Sequence, residues 1–409
     1  MAKRRFQLPR EEELSKEQDS VLALPEDGQY LIIGGPGTGK SVVALLRAMK
    51  YYRPNNSRFL TYNKVLRAAT EQLVNFPKPD DAMTINSWFF RSYQRIFGRN
   101  QRLPEKQRFV YDYEKVVDQA NRIPEQRKQK WSFFHLIIDE GQDMPIGFYR
   151  SLMELGLENF FIVADQNQQI TELNSSRQEL TAVLALQASE VLELTQNYRN
   201  SRPIAAFAGY FHTDKASPPP MLPDRPSLDT PLLFEYTREQ DCISLILRES
   251  DKDAGRLIGV IVANNEIRKR YVKVLQSLDI ALDNTRPTVS TYPDLDNNRD
   301  VNIVFSRGGV VVLNAASVKG LEFDTVFVVL DGFRVVDETD MKKKLYVMTS
   351  RAIDRLLLLK KSGDGSRAIE ALLPADEMLL RREKLTTGSN VQAVQMASGV
   401  VDFDDEIIF

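Results

Sequence analysis

The chain has one cysteine, Cys242, and two histidines, His135 and His212, among its 409 residues. A single thiol excludes an internal disulfide, and so few thiols and imidazoles exclude a Cys/His metal cluster. No apolar run approaches the roughly 20 residues that a membrane-spanning helix needs. The opening Met1-Ala2-Lys3-Arg4-Arg5 is basic, yet no apolar stretch of signal-peptide length follows it. The expectation is a soluble, cytoplasmic protein with no membrane partner. A net charge of −2 denies the molecule a global basic signature. Any nucleic-acid surface must therefore be a local patch balanced by acid elsewhere. The length suffices for two or three domains with real cores.

What is present is a phosphate-binding loop. Gly34-Gly35-Pro36-Gly37-Thr38-Gly39-Lys40-Ser41 matches G-x-x-x-x-G-K-[ST] at every fixed position. The apolar run Tyr30 to Ile33 precedes it and a helix-like run, Ser41 to Lys50, follows. Backbone N–H groups of such a loop point at phosphate oxygens, and the helix N-terminus adds a favourable dipole. Lys40 is expected to reach the β- and γ-phosphates of ATP, and Ser41 to ligate Mg²⁺.

Apolar strands alternate with helical segments along most of the chain, which predicts parallel sheets covered on both faces. Leu136-Ile137-Ile138 runs into Asp139-Glu140, and Phe160 to Ala164 into Asp165. Residues 1–88 and 132–212 read as one α/β domain, with a basic helical insertion over 89–131. Six prolines mark 213–231 as a semi-rigid linker or domain border. The alternation resumes over 232–385 with strand candidates at 232–236, 257–263, 310–313, 325–330 and 356–359. The polar, then acidic, tail over 386–409 has a disordered composition.

Asp139-Glu140-Gly141-Gln142-Asp143 follows a buried-type strand. An Asp in that place can hold Mg²⁺, and the next Glu can orient and deprotonate an attacking water. From here the sequence resembles superfamily 1 helicases of the UvrD/Rep type, over about Leu14 to Leu359. Leu14-Ser15-Lys16-Glu17-Gln18 is similar to the adenine-reading motif. Leu60-Thr61-Tyr62-Asn63-Lys64 and Thr84-Ile85-Asn86-Ser87-Trp88 resemble the two strand-contacting motifs. Ala164-Asp165-Gln166-Asn167-Gln168 resembles G-D-x-x-Q, and Leu194-Thr195-Gln196-Asn197-Tyr198-Arg199 resembles L-x-x-N-Y-R. Lys319-Gly320-Leu321-Glu322-Phe323-Asp324 matches K-G-L-E-F-D, and Leu345 to Ala352 resembles L-Y-V-A-x-T-R-A.

The resemblance implies two RecA-like domains with ATP hydrolysed between them, and 3′→5′ movement on single-stranded DNA. It implies that Gln18 reads adenine, Tyr198 stacks on it, Glu322 faces the ribose and Gly320 the phosphates. Gln168 and Arg199 would sense the γ-phosphate, and Arg351 would be an arginine finger. Tyr62, Asn63, Thr84, Asn86 and Trp88 would contact the strand. RNA stays open beside DNA, as does a nucleotide-gated switch that does not unwind.

Several contact positions depart from the family pattern. Asn86 replaces a usual His, Ala316 stands where another is common, and Thr171-Glu172-Leu173-Asn174 lacks the expected aromatic and Arg. Trp88 is either a compensating platform or a core residue. The insertion interleaves Arg91, Arg95, Arg99, Arg102, Lys106 and Arg108 with Phe89, Phe90, Tyr93, Phe97, Tyr111 and Tyr113. That pattern suits a single strand, or a solvated helical face over core rings. The large subdomain usually inserted before K-G-L-E-F-D has no room here, so a stripped motor is expected.

The chain closes on Asp402-Phe403-Asp404-Asp405-Glu406-Ile407-Ile408-Phe409. This resembles the acidic tip of bacterial single-stranded DNA-binding protein. Asp402, Phe403, Asp404, Asp405, Ile408 and Phe409 would recruit proteins that bind that tip, or dock on the chain's own basic groove. A plain acidic tail is the third alternative.

Overall fold

The computed structural model describes residues 6–108, 110–168, 174–214, 219–253, 255–277, 287–292 and 301–384. Two wholly parallel sheets organise the chain, giving the expected α/β class with two RecA-like units. The strands of the first are β1 (Gln29–Gly34), β2 (Ser57–Thr61) and β3 (Ala82–Thr84), with β6 (His135–Ile138), β7 (Asn159–Ala164) and β8 (Val191–Leu194). Between them β4 (Glu105–Gln107) and β5 (Val110–Tyr111) form a separate antiparallel hairpin. Spatial order is β3-β2-β6-β7-β1-β8. After β1 the chain crosses to one side of it through β2, and β8 later returns to the other. The carboxyl end of β1 is therefore a topological switch point, where open α/β sheets bind ligands. Because all six strands run the same way, the loop after β1, Asp165 after β7 and Asp139 after β6 emerge on one edge.

The helices of this lobe are α1 (Lys16–Leu22), α2 (Lys40–Lys50), α3 (Lys64–Leu73), α4 (Ile85–Phe97), α5 (Tyr113–Ala120), α6 (Glu125–Lys128), α7 (Ile146–Glu154) and α8 (Arg177–Val183). Their starts are written in the sequence as N-caps. Ser15 accepts from Gln18 N, Asn63 from Leu66 N, and Thr84 from Ser87 N. Each such cap contributes about 1 kcal/mol.

The second sheet holds β9 (Leu232–Tyr236), β10 (Leu257–Val262), β11 (Val289–Thr291), β12 (Gly309–Asn314), β13 (Phe323–Val329), β14 (Ala352–Lys361) and β15 (Arg381–Lys384), ordered β11-β12-β10-β13-β14-β9-β15. Helices α10 (Glu239–Lys252), α11 (Asn265–Ser277), α12 (Glu338–Thr349) and α13 (Arg367–Glu370) accompany it. Its central strands β10, β12 and β13 are buried on both faces, as their near-continuous Val/Ile/Leu/Phe runs require.

A further helix, α9 (Arg202–Gly209), lies between the lobes in the chain. Its Ile204 and Phe207, with Phe211, join the second sheet's core beside Leu233, Val311 and Leu345. Val65 and Ala69 of α3 enter the same cluster. One face of α3 from the first lobe thus belongs to the second lobe's apolar core. No helix among the described residues is long and apolar enough to cross a membrane.

Candidate nucleotide site

The glycine loop occupies the switch point. Gly37 sits at φ +75°, and a β-carbon there would fall 2.2 Å from Asn197 Oδ1. At Gly35 a β-carbon would meet Pro220 Cγ at 2.0 Å. Both positions need glycine, one for its backbone conformation and its neighbour, the other because a proline lies on it. Pro219 to Met221 are held there by Met221 N donating to Thr195 O at 2.8 Å. The stretch read as a linker therefore straps across the loop, roofing a cavity of about 210 Å³ lined by Gly34, Asp165, Asn167, His212 and Tyr346.

Lys40 Nζ donates to Gly35 O at 2.8 Å and lies 3.8 Å from Asp165 Oδ2. Burial lowers its pKa, with Asp165 opposing. Thr38 Oγ1 also donates to Gly35 O, fixing the loop from inside, while Pro36 is the loop's rigid link. Gln18 is spent locally: Nε2 donates to Thr38 O at 2.9 Å beside Gly39, and Oε1 accepts from Ser15 N. It braces the loop as well as bordering it.

Ser41 lies beside Asp139, whose Oδ1 accepts from Glu140 N. Asp139 Oδ2 is buried with no partner among the described residues. Burial, then the Glu140 charge, pushes Asp139 up to about 7. A hard oxygen-seeking cation fits this pair and its orphaned oxygen, so Ser41 and Asp139 suit Mg²⁺, which would supply charge neutralisation at the phosphates. Glu140 stands at φ 58°, ψ 41°, a left-handed conformation costly for a residue with a β-carbon and concentrated at functional sites. Gln142 Nε2 holds Glu140 Oε2 at 2.6 Å, and Gln142 Oε1 accepts from Asp165 N. Burial works against the charge on Glu140, but Lys319 and Lys40 outweigh it and the pKa is lowered.

Two cations arrive from the second lobe. Arg351, 2% exposed at the turn between α12 and β14, donates from Nη2 to Gln168 Oε1 at 3.0 Å and from Nε to Val347 O at 2.8 Å. Gln168 Nε2 in turn donates to Asp165 Oδ2 at 2.6 Å. Lys319, fully buried, donates to both oxygens of Asp143 at 2.8 and 2.7 Å and to Gln168 O at 2.7 Å. Burial opposes the charge on Lys319, yet Asp143 and Glu140 raise its pKa overall. The residue pattern had singled out neither Lys319 nor Asp143 for a role. Their signal was their place in the segments Asp139–Asp143 and Lys319–Asp324, each beside residues already given a role.

The segment 197–201 stitches the lobes together. Arg199 Nη1 donates to Glu322 Oε1 at 2.9 Å and Nη2 to Ser350 O at 2.7 Å, while its Nε is buried without a partner among the described residues. Asn200 Nδ2 donates to Ser350 O and Ala352 O. Tyr198, anchored by its N–H to Gly37 O, leaves its ring half exposed beside the loop. Gly320 abuts Leu66 of α3 in the first lobe.

The expected strand contacts separate. Asn86 is exposed, and Tyr62 and Asn63 are half-buried at the start of α3. Asn63 Oδ1 and Thr84 Oγ1 are engaged as caps, and Thr84 is buried. The contact expected of Trp88 is corrected: it is 4% exposed and stacks on Phe134 with ring centroids 6.1 Å apart. A base has no access to that ring. The same holds for the insertion, where Phe89 and Tyr93 are buried and Tyr111 and Tyr113 pack around Phe89. Arg91, Arg95, Arg99 and Arg102 are exposed, and Phe90 is the exposed ring among those named for this segment. Core rings under a solvated basic face describe it. Asp402, Phe403, Asp404, Asp405, Ile408 and Phe409, like Thr171 to Leu173, lie outside the described residues.

Residues 18–174 match the family described as AAA domain. That P-loop module implies a nucleoside-triphosphate hydrolase that binds ATP and Mg²⁺. No curated protein matches the chain. Among solved structures the chain is similar to the C-terminal domain of a possible DNA helicase from Lactobacillus plantarum WCFS1. Identity is 18%, the match covers 45% of this chain and 98% of that one, and the TM-score is 0.33.

Proposed function

We propose that the chain is an ATP-driven translocase or helicase on single-stranded DNA, of the UvrD/Rep type in superfamily 1, moving 3′→5′. One observation carries the reading: Gln168, after a strand beside the phosphate loop, is held through its side chain by Arg351 and through its carbonyl by Lys319, both from the other lobe. A γ-phosphate bound at Lys40 would meet that junction. Closure of the lobes and nucleotide occupancy then become one event, and a strand lying across both lobes is moved by it.

In this reading Glu140 activates water, Gln168, Arg199 and Arg351 respond to the γ-phosphate, and Ser41 with Asp139 holds Mg²⁺. Gly34 to Ser41 cradle the phosphates, Tyr198 stacks on adenine, and Gln18, Gly320 and Glu322 border the nucleotide. Tyr62, Asn63 and Asn86 are the remaining strand contacts.

A second reading, a nucleotide-gated switch that binds DNA or protein without unwinding, is favoured by the burial of Trp88 and the insertion's rings. Each absent stacking platform removes roughly 1–3 kcal/mol per base. The test is ATPase rate with single-stranded DNA, duplex DNA and RNA. Strong stimulation by single-stranded DNA supports the motor. Indifference to every polynucleotide refutes it, and preference for RNA redirects it.

A further inference from the structure

Gln18 stands where a side chain could read the edge of a base, yet its amide is committed to the protein. At the third position of α1 its Oε1 accepts from Ser15 N at 3.0 Å, and its own N–H donates to Ser15 Oγ at 3.2 Å, a reciprocal capping box. Its Nε2 donates to Thr38 O at 2.9 Å. The residue is 8% exposed, and a β-carbon on Gly39 would fall 2.2 Å from Nε2. To hold a base edge, an amide must offer one N–H and one lone pair side by side. Turning Gln18 to do so would release Ser15 or Thr38. The preceding Glu17 is committed as well, its two oxygens accepting from Thr195 N at 2.8 Å and Thr195 Oγ1 at 2.6 Å. Beside the loop the Tyr198 ring stands half exposed and offers a face on which any base can stack.

We infer that the site selects a nucleoside triphosphate by its phosphates and a stackable ring, not by adenine, so that GTP and ITP are substrates beside ATP. The inference rests on the reading of this site as an ATP-driven motor's and widens its substrate class. Gln18 is then a positioning residue. It ties α1 to Thr38, next to Gly39 at the start of α2, and so steadies the loop whose N–H groups cradle phosphate. The two roles differ in what they discriminate. A site that hydrogen-bonds a substrate group rejects the analogue lacking it by roughly 10⁴–10⁵ in rate. A ring stack is tolerant, because every base has a π-face.

The experiment uses the full chain, wild type and with Gln18→Glu or Gln18→Ala. Glutamate at this position keeps the capping box and so the start of α1, but it replaces the donor to Thr38 O with an acceptor. Displacement of a fluorescent ATP analogue by ATP, GTP and ITP gives three affinities whether or not the chain turns over. Phosphate release with and without single-stranded DNA gives kcat/KM for each. Expected for wild type are affinities and kcat/KM values within about tenfold of one another, the worth of about one net hydrogen bond. Expected for both variants is a weakening of all three nucleotides by a common factor of about tenfold, with their ratios unchanged. A wild-type preference for ATP larger than about tenfold overturns the inference. A variant that weakens ATP alone overturns it too, since Gln18 then reads the base. Variants that bind all three nucleotides as wild type does overturn the positioning role of Gln18. Comparable affinities for the three with no stimulation of phosphate release by single-stranded DNA sink the motor reading and uphold the base tolerance, which keeps the two failures apart.

Discussion

Removing the Arg351 guanidinium separates two quantities that usually move together. Arg351→Ala strands two buried acceptors, Gln168 Oε1 and Leu321 O, now served at 3.0 and 3.5 Å, while Val347 O keeps its bond from Ser350 Oγ. Each costs about 1–3 kcal/mol when left unpaired. Against this, burial and the neighbouring Arg199 charge bring Arg351 down to about 10. Holding it charged therefore costs about 3 kcal/mol, which truncation relieves. The net change in stability lies between about −1 and 3 kcal/mol of loss, a small shift in Tm for a chain of this size. An arginine finger instead supplies roughly 10³–10⁵ in rate, about 4–7 kcal/mol of barrier. Turnover should thus fall far more than stability. Arg351→Lys keeps the charge but replaces a planar fork with a point donor, and should recover more stability than turnover. The assay pairs thermal melts with phosphate release at saturating ATP. If Arg351→Ala melts as expected and its kcat stays within about tenfold of wild type, Arg351 is a buried strut and the finger argument fails.

Glu140→Gln should bind nucleotide like wild type and lose turnover by about 10²–10⁴-fold, since it keeps shape and loses only the base; unchanged hydrolysis would remove Glu140 from the mechanism. Tyr198→Ala should weaken nucleotide affinity by roughly 5- to 150-fold, the worth of one base–ring stack at 1–3 kcal/mol, while its half-exposed ring leaves the Tm almost still; calorimetric titration reads it. Trp88→Ala should cost about 3–5 kcal/mol of stability and leave single-strand affinity per folded molecule unchanged; a specific loss of strand binding without a change in Tm would restore Trp88 as a platform.

The parallel sheets were legible because both-face burial forces continuous apolar runs, as in Leu31-Ile32-Ile33 and Val310 to Leu313. Strand β15 was not: Arg381-Arg382-Glu383-Lys384 is an exposed edge with no apolar pattern, placed by its pairing to β9. The glycine loop declared itself through residue types that only a phosphate cradle needs. The interleaved rings of the insertion misled in one direction, because alternation of Arg with Phe and Tyr is the same whether the rings face a base or Phe148. Thr84 and Asn63 were ambiguous for a related reason: a cap and a strand contact ask for the same side chains. The pairing of Lys319 with Asp143 spans 176 residues, and no local pattern announces a partner at that distance.

Pro220 resting on Gly35 has a mechanical consequence. The chain that joins the halves lays Pro220 over the very turn that would grip ATP, so that turn has a hard stop above it. Nucleotide entry and the slack in that tether should therefore rise and fall as one.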